Sequence, residues 1–184
     1  NEWSSHERAG TNLISPQDYH GNPSILIDRE GFLHAFYGGH NKKMRYSRSS
    51  KPLSNDDWQD YTSRLPYTES TYPQLFVMSD GTIYSFYRRK THRGNWSYVT
   101  SNDNGSTWSR EVHVLDGRSP PGNGWYAAFT KDPNRDHIHL MFLWHASKDN
   151  LPHSRRNLYY MHMDHAAGKW TSMKNEKLNT PLSF

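Results

Sequence analysis

The sequence has no cysteine among its 184 residues, which excludes disulfide bonds and thiolate chemistry. It also lacks any run near the roughly 20 apolar residues that a membrane-spanning helix needs. Helical periodicity is absent from every segment of useful length, so we expect a low helix content. Basic residues occur in short runs with acidic residues between them, which breaks any continuous track for nucleic acid. We therefore expect neither a membrane nor a nucleic acid as partner.

Aromatic and basic residues are what the chain has in quantity. Aromatics make up 14% of the sequence, with seven Trp and twelve Tyr, and the net charge is +4 with twelve His in addition. This mixture is typical of a β-rich carbohydrate-binding protein rather than of a disordered chain. A basic surface attracts polyanions, and by charge alone these could be nucleic acid, an anionic polysaccharide or a membrane surface.

Residues 101–108 read Ser-Asn-Asp-Asn-Gly-Ser-Thr-Trp and fill every key position of the pattern S-x-D-x-G-x-x-W. This Asp box is a hairpin turn found in β-propeller blades of sialidase-like and related proteins. Asp103 and Asn104 favour the turn, Gly105 supplies a positive φ, and Trp108 can pack the turn onto its sheet. The motif marks architecture and gives no evidence of activity by itself.

Three segments align with each other around this motif at a spacing of about fifty residues. Each has short strand patterns separated by Gly, Asp or Asn turns, and each ends near a Trp, at Trp58, Trp108 and Trp170. The pattern predicts an all-β chain, a single partial β-propeller domain over 1–184. Its three four-stranded blades are expected at about 18–60, 70–112 and 124–174.

Three blades are fewer than the four to eight or so that close a propeller ring. A wedge of three would leave two sheet faces uncovered. We therefore expect that further blades, from the same gene or from another chain, are needed to complete the ring.

In a propeller, the loops before the innermost strands and the turns after the second strands lie near the central channel. Aligning the second strands at Leu33, Ile83 and Ile138 makes His40, Lys90 and His145 equivalent. Several basic and aromatic side chains should thus converge on one basic mouth. The candidates before the inner strands are His20, Asn22, Tyr72 and Tyr126, and those after the second strands are His40, Arg88, Arg89, Lys90 and His145.

Two short segments carry a family resemblance. His20-Gly-Asn-Pro and the Ala-Phe-Tyr-Gly-Gly-His segment that ends at His40 resemble the BNR-type, Asp-box propeller family that includes the seven-bladed ulvan lyases. Tyr72 and Arg88 then follow at the family's spacing. The resemblance implies a seven-bladed ring, and it implies that His20, His40, Tyr72 and Arg88 form the catalytic site. Asn22, Arg89, Lys90, Tyr126 and His145 are then expected to bind substrate.

The activity that the resemblance implies is β-elimination on a uronate-containing polysaccharide such as ulvan. A guanidinium such as Arg88 can pair with the carboxylate and stabilise an enolate-like intermediate. His20 and Tyr72 would transfer the protons, in an order that the sequence does not decide, and His40 would orient the sugar. No cofactor is expected to be required. Some members carry a structural metal, for which we can assign no ligand set here, and the family implies a secreted or periplasmic location.

Two alternatives stay open at this stage. A sialidase-type glycoside hydrolase shares the Asp box, but the chain lacks the Phe/Tyr-Arg-Ile-Pro segment of those enzymes. A non-catalytic carbohydrate-binding propeller fragment would explain the low blade count. In that case the histidines would be ordinary surface or hydrogen-bonded residues.

Overall fold

The structure, a computed structural model, describes residues 6–117, 123–146 and 155–183. In these ranges the regular structure is almost entirely β-strand, with one 3-10 turn at Thr62–Arg64, so the all-β prediction is confirmed. No helix there has the length and apolar character needed to cross a bilayer. The strands are β1 (Ser24–Ile27), β2 (Leu33–Tyr37), β3 (Lys42–Lys43), β4 (Arg45–Ser49), β5 (Trp58–Asp60), β6 (Glu69–Val77), β7 (Ile83–Arg89), β8 (Trp96–Ser101), β9 (Val112–Leu115), β10 (Asn123–Lys131), β11 (His137–Ala146), β12 (Arg155–Asp164) and β13 (Lys169–Thr171).

Within the described ranges the strands form three antiparallel sheets that follow one another along the chain. The first sheet has the order β1-β2-β4-β5, and the third has the order β10-β11-β12-β13. The second contains β6 to β9 and gains β3 at its edge, because Lys42 pairs with Ser70 and Lys43 with Glu69. A two-residue strand from the first repeat is therefore hydrogen-bonded into the sheet of the second.

The second sheet lies between the other two and is buried on both faces. Its strand β7 is buried from Ile83 to Arg88, and its side chains alternate between the two neighbours. Tyr87 belongs to the cluster that joins the first and second sheets, whereas Phe86 belongs to the cluster that joins the second and third. Aromatic side chains fill both interfaces, which is how a sequence of low mean hydropathy builds a core.

The Asp box forms the predicted turn and packs the second sheet onto the first. Asp103 accepts hydrogen bonds from the Ser101 hydroxyl at 2.8 Å and from the Thr107 backbone N–H and hydroxyl at 2.8 and 2.6 Å. Gly105 has a φ of +77°, and a Cβ atom there would lie 1.9 Å from the Tyr46 hydroxyl oxygen. Only glycine therefore fits this contact with the first sheet.

We expect Asp103→Ala to lower the free energy of unfolding by roughly 1–2 kcal/mol, because three donors lose a charged acceptor in one turn. Urea denaturation followed by Trp fluorescence measures this change. Asn102→Ala, in the same exposed turn, is the matched control. Equal destabilisation by the two substitutions would contradict a structural role for the Asp103 hydrogen bonds.

The outer faces of the first and third sheets carry exposed apolar side chains. Ile25 and Ile27 on β1 are 66% and 51% exposed, and they point away from the second sheet. On the third sheet, Met141 is 47% and Leu158 is 62% exposed. The described residues thus leave both outer faces uncovered, as expected for a wedge of three blades.

Candidate active site

The candidate catalytic residues meet at one cleft of about 280 Å³, where the three sheets adjoin. The cleft is open to solvent, since the His20 side chain in its lining is 48% exposed. All four residues that the sequence assigned to the catalytic site line it, namely His20, His40, Tyr72 and Arg88. The other lining residues are Asn41, His92, Tyr126 and His145.

His20 and His40 share one carboxylate, that of Asp18. His20 Nδ1 lies 2.6 Å from Asp18 Oδ1, and His40 Nδ1 is hydrogen-bonded to Asp18 Oδ2. The two imidazoles are stacked, with ring centroids 4.1 Å apart and an interplanar angle of 22°. The arrangement brings together a residue before β1 and a residue after β2, as the repeat alignment predicted.

The segment that carries His40 is fixed by two glycines and by contacts with the second sheet. Gly38 has a φ of +73°, and a Cβ atom on Gly39 would lie 2.7 Å from the backbone oxygen of Ser70. The Asn41 N–H donates to the Thr71 hydroxyl oxygen at 3.2 Å. The chain at His40 can therefore approach the second sheet more closely than any side chain at Gly39 would allow.

Tyr72 lies within β6, whereas the sequence placed it in a loop before the strand. Thr71 pairs with Arg88 and Gln74 with Phe86, so two residues of β6 oppose one residue of β7 between these pairs. At this bulge Tyr72 has a φ of +58°, a conformation that costs energy in a non-glycine residue. The bulge turns the Tyr72 side chain into the cleft.

The Tyr72 ring lies among aromatic rings and a cation. Its centroid is 6.1 Å from that of His20 and 6.3 Å from that of Trp96, with which it is nearly parallel. Arg88 Cζ lies 4.9 Å from the ring centroid. Burial raises the pKa of the Tyr72 hydroxyl, and the Arg88 charge opposes this rise only in part. The hydroxyl is therefore protonated near neutral pH and can donate a proton.

Arg88 is a buried cation without an anionic partner among the residues that the structure describes. Arg88 is 2% exposed, and its Nε and Nη1 atoms have no hydrogen-bond partner among the described residues. Its nearest charge-stabilising contacts are the faces of Tyr72 and of Tyr126, whose centroid lies 5.5 Å from Cζ. Because an unpaired buried charge is costly, this guanidinium is prepared to bind an anion that enters the cleft.

The opposite wall of the cleft comes from the third sheet and from the turn after β7. The Tyr126 ring lies 5.6 Å from that of His145, and the His92 ring lies 5.9 Å from His145. Arg155 Cζ lies 4.3 Å from the Tyr126 centroid. Burial, together with the charges of neighbouring cations, lowers the pKa of His92. This wall therefore offers hydrogen-bond donors and positive charge to a second part of a ligand.

Asn22 lines an adjacent cavity of about 340 Å³ that shares Tyr72 and Tyr126 with the cleft. Pro73 and Gln74 also line it. The Tyr72 and Tyr126 side chains therefore border both cavities. Asn22 lies in the second cavity and not in the cleft, and its role in substrate binding stays a prediction.

The structure places Arg89 and Lys90 outside the cleft, in a separate depression. Arg89 forms an ion pair with Glu111, and Lys90 is exposed. The repeat alignment made Lys90 equivalent to His40 and His145, but the strand β7 runs to Arg89 and its side chains alternate. Arg88 is therefore the residue that points into the cleft. Substrate binding by Arg89 and Lys90 stays a prediction.

Asp18, His20 and His40 are also the group of described residues that could hold a metal ion. One ligand atom from each lies within 4.8 Å of the others. Both carboxylate oxygens of Asp18 already accept hydrogen bonds from the two imidazoles. The same atoms are thus satisfied without a cation, and the set fits a hydrogen-bonded dyad of histidines at least as well as a metal site.

The sequence missed two functional candidates, Asp18 and His92. Asp18 precedes His20 by two residues, and a D-x-H spacing of this kind is typical of an Asx turn, which was a usable signal. His92 lies in the Thr91–Gly94 turn after β7, where the Gly94 N–H donates to the Thr91 oxygen. Tyr126 and His145 do line the cleft, although both lie inside strands rather than in loops.

A sequence model of the BNR repeat-containing family matches residues 1–184. The chain belongs to this family. Among curated members, the ulvan lyase of Nonlabens ulvanivorans is 31% identical over 99% of the chain. The ulvan lyase of Alteromonas sp. (strain LOR) is 30% identical, also over 99%. The chain spans only 45% and 44% of the length of these two proteins.

Solved structures of the family agree with the fold. An ulvan lyase of polysaccharide lyase family PL25 superposes with a TM-score of 0.84 at 28% identity. It covers 98% of the chain and is itself covered to 48%. The complex of such a lyase with -[GlcA(1-4)Rha3S]- gives a TM-score of 0.86 at 29% identity. The partial β-propeller predicted from the sequence is therefore confirmed.

Proposed function

We propose that the protein is a polysaccharide lyase that cleaves a uronate-containing, ulvan-like polysaccharide by β-elimination. The observation that carries this proposal is the buried guanidinium of Arg88 beside Tyr72 and His20, which has no ionic partner within the described ranges. A uronate carboxylate is the anion that such a pocket would neutralise in a lyase. The similarity to ulvan lyases, and to one bound to a glucuronate-containing fragment, supports this choice of substrate.

In the proposed reaction, one base and one acid act on the uronate. The base removes the proton from C5, the electron pair forms the C4–C5 double bond, and the C4–O bond breaks. The acid protonates the departing glycosidic oxygen, so no water or other co-reactant is consumed. Arg88 pairs with the carboxylate and stabilises the negative charge that develops on it.

We assign the base to His20 and the acid to Tyr72. The Nδ1 atom of His20 faces Asp18, and its Nε2 atom has no partner among the described residues, so it is available to accept a proton. Tyr72 is protonated near neutral pH because burial raises its pKa. His40, stacked on His20, would bind the sugar and hold the His20 ring in place.

The opposite wall of the cleft is suited to a neighbouring sugar. Tyr126 provides an aromatic face on which a pyranose can pack. His145 and Arg155 lie beside this face and can contact an anionic substituent. We propose that Tyr126 and His145 bind substrate in this way, as the sequence predicted.

Catalysis by these side chains would require no cofactor, although a structural metal elsewhere in the protein is compatible with it. We also propose a secreted or periplasmic location, because a long polysaccharide does not enter the cytoplasm. The exposed apolar faces of β1 and β11 favour further blades as partners, since such blades would cover them. Neither nucleic acid nor a membrane is part of the proposal.

The test is incubation of the complete natural polypeptide with ulvan and with non-uronate polymers. We expect ultraviolet absorbance from unsaturated uronate ends with ulvan only, and products whose summed mass equals that of the substrate. The activity should persist in a chelator such as EDTA. Products that have gained water would instead indicate a sialidase-type hydrolase, and binding without cleavage would indicate a carbohydrate-binding propeller.

A further inference from the structure

We propose that Asp18 is a positioning residue that fixes the tautomer and orientation of both His20 and His40. The inference rests on the proposed function, because the two histidines are placed there in the reaction. Asp18 itself does not line the cleft, so it would act only through the imidazoles.

The geometry gives each imidazole one oxygen of the same carboxylate. His20 Nδ1 meets Oδ1 and His40 Nδ1 meets Oδ2. A carboxylate accepts hydrogen bonds and donates none, so both rings must carry their proton on Nδ1. Within the described ranges the Nε2 atoms have no hydrogen-bond partner, so in a neutral ring their lone pairs are free. Both imidazoles are hydrogen-bonded to the Asp18 carboxylate, which also accounts for the stacking of the two rings with centroids 4.1 Å apart.

Asp18 is itself held by its local turn. Its backbone N–H donates to the Ser15 oxygen at 2.9 Å, and its Oδ1 atom accepts the His20 backbone N–H at 3.1 Å. Hydrogen bonds from His40 and then His20 keep the pKa of the Asp18 carboxyl well below its usual range. The group is therefore a carboxylate at any pH at which the protein would work.

Two other aspartate–histidine pairs of the described residues differ in an informative way. His34 bonds Asp28 through Nε2 and the Tyr46 hydroxyl through Nδ1. His165 likewise uses Nε2 for Asp80 and Nδ1 for a tyrosine hydroxyl. Both nitrogens are occupied in these structural pairs. His20 and His40 use only Nδ1 within the described residues, which leaves Nε2 of each ring available to exchange a proton or bind a ligand.

The experiment compares wild type with Asp18→Asn and Asp18→Ala in the complete natural polypeptide. The amide of Asp18→Asn can accept from one imidazole only, and its NH₂ group forces the other ring to move its proton to Nε2. Solid-state NMR of ¹⁵N-histidine reports the tautomers, with assignments from His20→Gln and His40→Gln. Asp80→Asn is the matched control, since it breaks an aspartate–histidine pair away from the cleft.

We expect both Asp18 variants to lose about 100-fold or more in kcat on ulvan, as for other carboxylates that orient an imidazole. KM should stay within about threefold, because Arg88, Tyr126 and His145, which also bind substrate in the proposal, do not depend on Asp18 for their position. Added formate should restore at least about tenfold in Asp18→Ala by replacing the missing carboxylate, as expected for an open site. Asp80→Asn should keep the wild-type kcat.

A kcat within threefold of wild type in Asp18→Asn would overturn the proposal, as would a lost kcat with both tautomers unchanged. The proposed function can fail separately, if the wild type forms no unsaturated product from any uronate polymer. In that case the NMR comparison alone tests the positioning role of Asp18. A tautomer change at His20 or His40 in Asp18→Asn supports the positioning role, and unchanged tautomers exclude it.

Discussion

Tyr72→Phe is expected to lower kcat on ulvan by about 1,000-fold, because it removes the proton donor for the departing oxygen. The ring contacts with Trp96 and Arg88 do not involve the hydroxyl, so the fold and KM should be nearly unchanged. The rate is measured as the growth of ultraviolet absorbance from unsaturated ends. Circular dichroism and thermal melting check that the variant is folded.

Tyr67→Phe is the control for this substitution. Tyr67 lies in the same sheet interface as Tyr87, and its hydroxyl bonds Ser85 at 3.3 Å away from the cleft. It should lose some stability and no activity. If Tyr72→Phe kept more than about a tenth of the wild-type kcat, another group would have to be the acid.

Arg88→Met is expected to lower kcat/KM by about 1,000-fold, because the carboxylate loses the charge that stabilises its enolate-like form. The melting temperature should stay the same or rise. Arg88 is 2% exposed, and two of its nitrogen atoms have no hydrogen-bond partner in the described part of the chain. An apolar side chain of similar volume therefore removes a buried charge that these residues do not compensate. Loss of activity with no loss of stability would identify a residue retained for function.

Arg88→Lys separates charge from geometry at the same position. The lysine keeps the cation and loses the planar fork, so we expect about a 100-fold loss in kcat/KM. Arg64→Met provides the control, since Arg64 also lies over a tyrosine ring, at 4.0 Å from the Tyr61 centroid, but away from the cleft. An Arg88→Met variant that unfolds would instead make Arg88 a structural residue.

The architecture could be read from the sequence because each of its signals is local. The Asp box at 101–108, the turn glycines and the alternating strands predict blades without reference to the rest of the chain. The convergence of His20, His40, Tyr72 and Arg88 followed from the repeat alignment and the family spacing. Their chemical roles stay predictions until the variants are measured.

The features that the sequence did not predict depend on contacts between segments that are distant in sequence. The bulge at Tyr72 arises from the register between β6 and β7, which no single strand specifies. The pairing of β3 with β6 joins two repeats, so a blade-by-blade analysis does not predict it. Asp18 had a local signal in its turn, but its sharing between His20 and His40 is visible only once both rings are placed.

The short strand β3 limits how a protein of this kind can evolve by duplication of its blades. It hydrogen-bonds the end of the His40 segment to the second sheet beside Tyr72, and the third sheet adds Tyr126. The residues that line the cleft come from all three sheets, and no single repeat contains them all. Duplication of one blade therefore adds a sheet to the ring without adding a second catalytic cleft. A ring of this kind can gain or lose distant blades in its history, but the junction of these three must be inherited as one unit.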